Sequence, residues 1–493
     1  MEIHLVPNST TPIYKQIRNI LQGKILSGEL QRGFKLPSER ALSLRLQIHR
    51  NTVKKAYELL IREGLIYASV KAPRGYFVSG NRAEHLSETE QANKRRPFSS
   101  LDRNFNYPFL DMQSTFERLY TSSYLSETIS FAGVLLNKDA LPLAFLHELM
   151  QEIGESSSEE PFWFCDPQGT ERLRTALSDM LFRRNIYVRP QNIQITSETH
   201  EMLSNLARMY LKEGDTVAVE EPAFPAIVNI LLQTGAQVLF VPMEKDGMSV
   251  SALKELAERR RPGLIYTMPN FHNPSSAVMS LEKRKQLLKI AQSLHIPIIE
   301  DDSLYDFNYS GQHLPSLYSM DNTGSVVYMD SFNLSFFPGA RIGYLIAPDA
   351  VVKTYRQIIN KDQLFLNSLS QYLLARFFEK GYYEKHRAFL TEFYRKKRDL
   401  MCSLLSEIPG ISFTVPEGGL SVWVRLKNGI NDRRVTYAAE RAGVLVMPGN
   451  IFFAEGSRGE SYLRLSFSSV SDEELRLGMT RFADVMKHAG MEA

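Results

Sequence analysis

The chain has 493 residues, 43% hydrophobic and 23% charged, enough for a large buried core and for more than one domain. No apolar run reaches the ~18 residues of a membrane span, and the opening Met1-Glu2-Ile3-His4-Leu5 lacks the pattern of a secretory leader. Two cysteines, Cys165 and Cys402, are too few for a disulfide framework or a metal cluster, so a reducing cytoplasm is expected. The net charge of +3 hides an asymmetry, because residues 1–80 carry 13 Lys and Arg against 5 Asp and Glu, and the remainder 45 against 50. A basic module on a mildly acidic body implies a polyanionic partner for the first part alone.

Residues 12–80 read as three helices and a hairpin. Ile13, Ile17, Leu21 and Ile25 recur at helical spacing after Pro12. Gly28 and Gly33 end that helix, and Pro37-Ser38 opens a second one through Ala41, Leu42 and Leu46, with Ser38 as N-cap. After a turn at Gln47-Ile48-His49, a third helix buries Val53, Ala56, Tyr57 and Leu60. Its other face offers Arg50, Asn51, Thr52, Lys54 and Lys55. Residues 66–78 then form two strands around the basic tip Lys71-Ala72-Pro73-Arg74-Gly75.

This order is that of a winged helix-turn-helix, whose recognition helix enters the major groove N-terminus first. Arg50 suits a guanine edge and Asn51 an adenine edge. His49 and Thr52 join them on the DNA-facing surface. Arg40, Lys54 and Lys55 suit phosphates, and Arg74 at the wing tip suits a narrow minor groove. The motifs Thr11-Pro12-Ile13-Tyr14-Lys15-Gln16-Ile17, Leu36-Pro37-Ser38-Glu39-Arg40, Arg50-Asn51-Thr52-Val53, Tyr57-Glu58-Leu59-Leu60, Glu63-Gly64-Leu65-Ile66 and Gly75-Tyr76-Phe77-Val78 resemble the GntR winged-helix domain. His49 departs from the serine usual in that family.

Residues 81–119 are polar and mixed in charge, with the cluster Asn93-Lys94-Arg95-Arg96-Pro97, and read as a linker. From residue 120 to 493, short β-rich runs alternate with amphipathic helical stretches. The runs 193–196, 216–219, 238–241, 264–267, 296–299, 326–329 and 342–346 predict a largely parallel, helix-covered α/β sheet.

Landmarks along 125–490 resemble the fold-type I, class I/II aminotransferases, with a large mixed or parallel sheet domain and a smaller C-terminal subdomain. They include Asp166-Pro167-Gln168-Gly169, Glu220-Glu221-Pro222-Ala223-Phe224-Pro225, Asn273-Pro274, Glu300-Asp301-Asp302, Met447-Pro448-Gly449 and Leu463-Arg464-Leu465-Ser466-Phe467. A GntR-type head on such a body resembles the MocR subfamily of bacterial regulators. That resemblance implies duplex DNA as partner, a homodimer, and a body that senses pyridoxal phosphate (PLP) or a related metabolite.

The same resemblance locates a cofactor site. Asp301 matches the carboxylate at the pyridine nitrogen, Asn273 the amide at the ring hydroxyl, and Phe224 the ring that stacks on the pyridine. Ser331 and Arg341 match phosphate ligands, and Ser197 and Thr199 begin a helix whose free amides face a phosphate. Arg464 matches the residue that grips an α-carboxylate.

Three positions depart from the pattern. In Ser331-Phe332-Asn333-Leu334 the lysine that forms an imine with PLP is Leu334, and the chain has no lysine between Lys289 and Lys353. Leucine can neither tether the aldehyde nor move the α-proton. Glu198 replaces a glycine beside the phosphate, and Ser303 replaces a tyrosine, with Tyr305 two positions on. The expectation is therefore a regulator rather than an enzyme. PLP, if bound, is held without a covalent link. A different anion held by Arg341 and Arg464, a ligand-free scaffold and a working enzyme with a DNA-binding head are the alternatives.

Overall fold

The computed structural model describes residues 12–26, 30, 33–62, 65–69, 75–78, 116, 119, 122, 128–362, 365–427 and 429–489. Arg74 with its wing tip, and the linker apart from Phe116 and Leu119, lie outside the described residues. The chain divides into two compact units, residues 1–108 and 109–493.

In the first unit, α1 (Ile13–Leu26), α2 (Glu39–Leu46) and α3 (Arg50–Arg62) surround a small apolar core. Ile17, Leu21 and Ile25 of α1 meet Leu42, Val53, Ala56, Tyr57 and Leu60 there, as their spacing predicts. Ser38 caps α2 by accepting from the Ala41 N–H at 3.2 Å. Gln47 ends α2 in the left-handed region at φ 51°, which makes the sharp turn into α3. The hairpin is β2 (Ile66–Ser69) and β3 (Gly75–Val78). A short strand absent from the sequence reading, β1 (Lys35–Leu36), pairs with β3 and gives the order β1-β3-β2.

The second unit opens with β4 (Ile129–Ser130) and is built on an eight-stranded sheet. Its strands are β5 (Ile193–Thr196), β6 (Thr216–Glu221), β7 (Gln237–Glu244), β8 (Gly247–Met248), β9 (Leu264–Thr267), β10 (Ile298–Asp301), β11 (Val326–Ser331) and β12 (Gly343–Ile346). The order is β5-β12-β11-β10-β9-β6-β7-β8. Every neighbouring pair is parallel except those made by β12 and β8. All four residues of β9 and all four of β10 are buried, as expected of strands covered on both faces. β10 begins two residues later than its apolar run suggests. The Ile296 N–H bonds back to Ala291 O and closes the preceding helix, so pairing starts at the Pro297 carbonyl, which accepts from the Ile265 N–H.

A smaller antiparallel sheet, order β13-β14-β17-β16, is made by β13 (Ile411–Phe413), β14 (Ser421–Leu426), β16 (Met447–Pro448) and β17 (Tyr462–Ser466). β15 (Val444–Leu445) pairs with β4. This C-terminal part has its own core around Val422, Val424, Leu463 and Leu465. The consequence for function lies at one edge of the large sheet. The carboxyl ends of β5, β6, β9, β10 and β11 and the start of β12 open on the same side, the usual place for ligands in α/β sheets.

Candidate functional site

The first unit presents one polar surface from α2 and the start of α3. Arg40, His49, Arg50, Asn51, Lys54 and Lys55 are exposed, and Thr52 is half-buried. Buried Glu39 organises this surface. Its Oε2 accepts from Arg50 Nε at 2.9 Å, and its Oε1 accepts from the Tyr76 hydroxyl at 2.6 Å. The hydrogen bond from Tyr76, and then that from Arg50, holds the Glu39 carboxyl below the usual carboxylate range against the opposing effect of burial. Arg50 remains 65% exposed while held at its Nε, so its remaining N–H groups are directed outward.

His49 has a structural task as well. Its Nδ1 accepts from the Asn51 N–H at 3.2 Å and covers an orphan donor at the start of α3. Lys55 Nζ lies 4.3 Å over the Tyr14 ring and Lys54 Nζ lies 3.9 Å from Glu58, so both ammonium groups are steered by neighbours. Glu39, Tyr76 and Tyr14 are absent from the sequence-based set. Glu39 sits between the predicted N-cap and Arg40, but its partner in β3 is 37 residues away.

In the second unit a cavity of about 830 Å³ opens at the carboxyl edge of the sheet. Thr199, Phe224, Asn273, Asp301, Ser303, Ser331, Leu334, Arg341 and Arg464 all line it. The topology brings together residues up to 265 positions apart, because all of them lie at that edge of the large sheet except Arg464, which projects from β17 of the smaller sheet.

At its floor, Asp301 ends β10 and is buried. Its Oδ1 accepts from the Ser303 N–H at 3.0 Å and from the Ser303 hydroxyl, and its Oδ2 accepts from the Tyr266 hydroxyl at 2.7 Å. Burial raises its pKa, and the bonds from Ser303 and Tyr266 oppose that rise. Tyr305 does not take over from the tyrosine missing at 303. Its ring stacks on His313 and under the Arg184 guanidinium, 3.9 Å away, and it does not line the cavity.

Arg464, fully buried, donates to Asn273 Oδ1 at 3.0 Å and to the Ala132 carbonyl at 2.5 Å. The Phe224 ring stands 5.9 Å from the same guanidinium, and the His200 ring lies 26° from the Phe224 plane.

The outer end differs in character. Arg341 adopts φ 52°, rare for a residue with a side chain. Its Nη2 lies 2.6 Å from Glu198 Oε2. Ser197 donates both its N–H, at 3.2 Å, and its hydroxyl to Glu201 Oε2 in the first turn of the following helix, Thr199–Tyr210. The Arg341 loop is held against that helix by Gly343, where a Cβ would come within 2.8 Å of Met202 Cε. Leu334 is half-buried and packs on the C-terminal core. Among the described residues lining the cavity, the one lysine is Lys138, which is exposed. Tyr266, His200 and Glu201 were missed in the sequence. Only Glu201 left a signal there, as an acid in the first turn of a helix.

Residues 134–482 match the family model of aminotransferase class I and II, and residues 13–78 match that of bacterial regulatory proteins of the gntR family. The chain belongs to the class I and II aminotransferase family through its body, and its gntR-family head makes it a transcriptional regulator of MocR-type architecture. It is 30% identical to aromatic-amino-acid aminotransferase 1 of Thermococcus litoralis, over 73% of this chain and 88% of that one. It is 24% identical to the probable rhizopine catabolism regulatory protein MocR of Rhizobium meliloti, over 96% and 93%. The solved structure of Pyrococcus horikoshii kynurenine aminotransferase superposes with a TM-score of 0.74 at 29% identity, covering 79% of this chain and 98% of that one.

Enzymes of this fold family use PLP, so the cavity can be tested against that group. Its floor offers a buried carboxylate, an amide and an aromatic face, which fit a protonated pyridine. Its outer end fits the phosphate less well: Ser331 and Arg341 line it, but Arg341 is paired with Glu198, whose carboxylate opposes a dianion there. Leu334 offers no amine to an aldehyde.

Proposed function

We propose that the protein is a cytoplasmic, homodimeric regulator that binds duplex DNA with its head and senses a small metabolite with a non-catalytic body. The observation that carries this reading is Leu334 in the cavity wall. A residue with no ionisable group can neither form an imine nor carry a proton between carbon atoms. The exposed Arg40, Arg50, Asn51 and Lys54 support DNA binding by the head. Exposed aromatic side chains at Phe162, Trp163, Phe164 and Phe365 support a second copy as partner of the body.

Two measurements on the purified full chain test the reading. Fluorescence anisotropy with duplex DNA should show binding that weakens steeply with salt. Transamination of a panel of amino acids with added PLP should not exceed the protein-free background. Absence of DNA binding at low salt would remove the regulator, and turnover abolished by Arg464→Ala would restore the enzyme.

A further inference from the structure

Arg341 lines the outer end of the cavity, and Ser197, next to the cavity residue Glu198 in the chain, carries a hydroxyl and an N–H at the head of a helix. These donors are engaged by the chain's own acids. Glu198 takes Arg341, and Glu201 takes both donors of Ser197. A phosphate dianion entering there would find Arg341 already paired and would face the Glu198 carboxylate at close range. A neutral hydroxyl or an ammonium group in the same place would instead find an acceptor in Glu198.

The floor makes the complementary demand. A carboxylate offers about four acceptor sites. Three at Asp301 are filled, by the Ser303 N–H, the Ser303 hydroxyl and the Tyr266 hydroxyl, and Asp301 lines the cavity. Phe224 and His200 both line the cavity, with their ring planes 26° apart.

Resting on the sensor reading above, we infer that the cavity selects an unphosphorylated, protonatable heteroaromatic ring, with its ring N–H on Asp301, its face on Phe224 and a hydroxyl or ammonium substituent toward Glu198. Glu198 is the specificity-determining residue, because it rejects the phosphorylated form of the same ring.

Pyridoxine and pyridoxine 5′-phosphate are suitable probes, since they differ only in the phosphate and carry no aldehyde. Calorimetry on the full chain should show pyridoxine binding at least about tenfold more tightly than its 5′-phosphate, a difference of ~1.4 kcal/mol. Glu198→Gly should bring the two within about threefold or invert them. Glu198→Gln, which keeps the side chain's shape, should narrow the gap on its own and decides the matter if the glycine variant does not fold. The inference is overturned if the wild type prefers the phosphate, binds neither probe, or keeps its preference in the folded variants. Anisotropy with DNA, with and without pyridoxine, separates the two claims. Tight binding without a change in DNA affinity would sink the sensor reading and leave the selectivity standing.

Discussion

In the head, the residues assigned to DNA stand on a solvent-facing surface, and their few internal partners aim them outward. Glu39 fixes Arg50 against the wing strand, and Tyr14 carries Lys55. In the body, Arg341 and Arg464, both assigned to an anion, line one cavity, but neighbouring groups have taken their hydrogen bonds. A convex surface built from adjacent helix turns leaves its polar groups to water and so stays open to a partner. Groups gathered in a cavity find one another first, and a single added carboxylate changes what the cavity accepts.

The largest expected effect separates the body from its enzyme relatives. The wild type should show no PLP-dependent amine exchange, whereas Leu334→Lys combined with Glu198→Gly should raise it by at least ~10²-fold, as restoring a proton-transfer group typically does. A borohydride-trapped peptide map should place the label at residue 334. Equal rates in wild type and variant would break the contrast.

Next comes Arg50→Ala, which should cost about 1–3 kcal/mol on the operator and relax one base position, read by anisotropy over single-base operator variants. An equal loss on every sequence would mean that Arg50 serves a phosphate.

The two regions should also differ in their response to pH. Burial raises Glu220 from 4.5 to about 7, and burial with the nearby Glu300 raises Asp302 from 3.8 to about 7. The folded body thus binds protons that the unfolded chain releases, and this contribution to its stability falls as pH climbs from the ordinary carboxylate range through about 7. Glu39 is shifted down, so its contribution is present above its ordinary 4.5 and lost as pH falls below that value. Buried His272 and His386, lowered from 6.5 to about 3 and about 4, act in the opposite sense as pH falls through their ordinary value. The carboxylates are therefore read by difference. Calorimetric unfolding of Glu220→Gln and Asp302→Asn should each show about 1 kcal/mol less gain in body stability than the wild type between pH 8 and pH 6. The Glu39 contribution should change little over that range. Variants with the same pH dependence as the wild type would contradict this assignment.

The smallest effect is that of Lys55→Ala. It should flatten the salt dependence of DNA binding by about one unit on all sequences and remove roughly 0.5–1 kcal/mol of packing over Tyr14. Salt titrations with specific and random duplexes check the first part, and urea unfolding checks the second.

The three helices and the hairpin of the head were legible because helical spacing, the Ser38 cap and the glycine-bounded hairpin are local signals. β1 escaped because two residues, Lys35-Leu36, carry no periodicity and pair only through β3. In the body, apolar runs marked the strands, but a run has no direction, and β12 enters the sheet antiparallel to both neighbours.

The residue types around the cavity, including Leu334, Glu198 and Ser303, were likewise written in the linear order of motifs. The tertiary structure alone decided their partners. It put Glu198 on Arg341, 143 positions away, turned Tyr305 onto Arg184 and brought Tyr266 to Asp301. A motif states which chemical groups reach a site. Which of those groups stay available to a ligand depends on distances of 3–4 Å between segments far apart in the chain, set by how the strands align and where the loops between them turn.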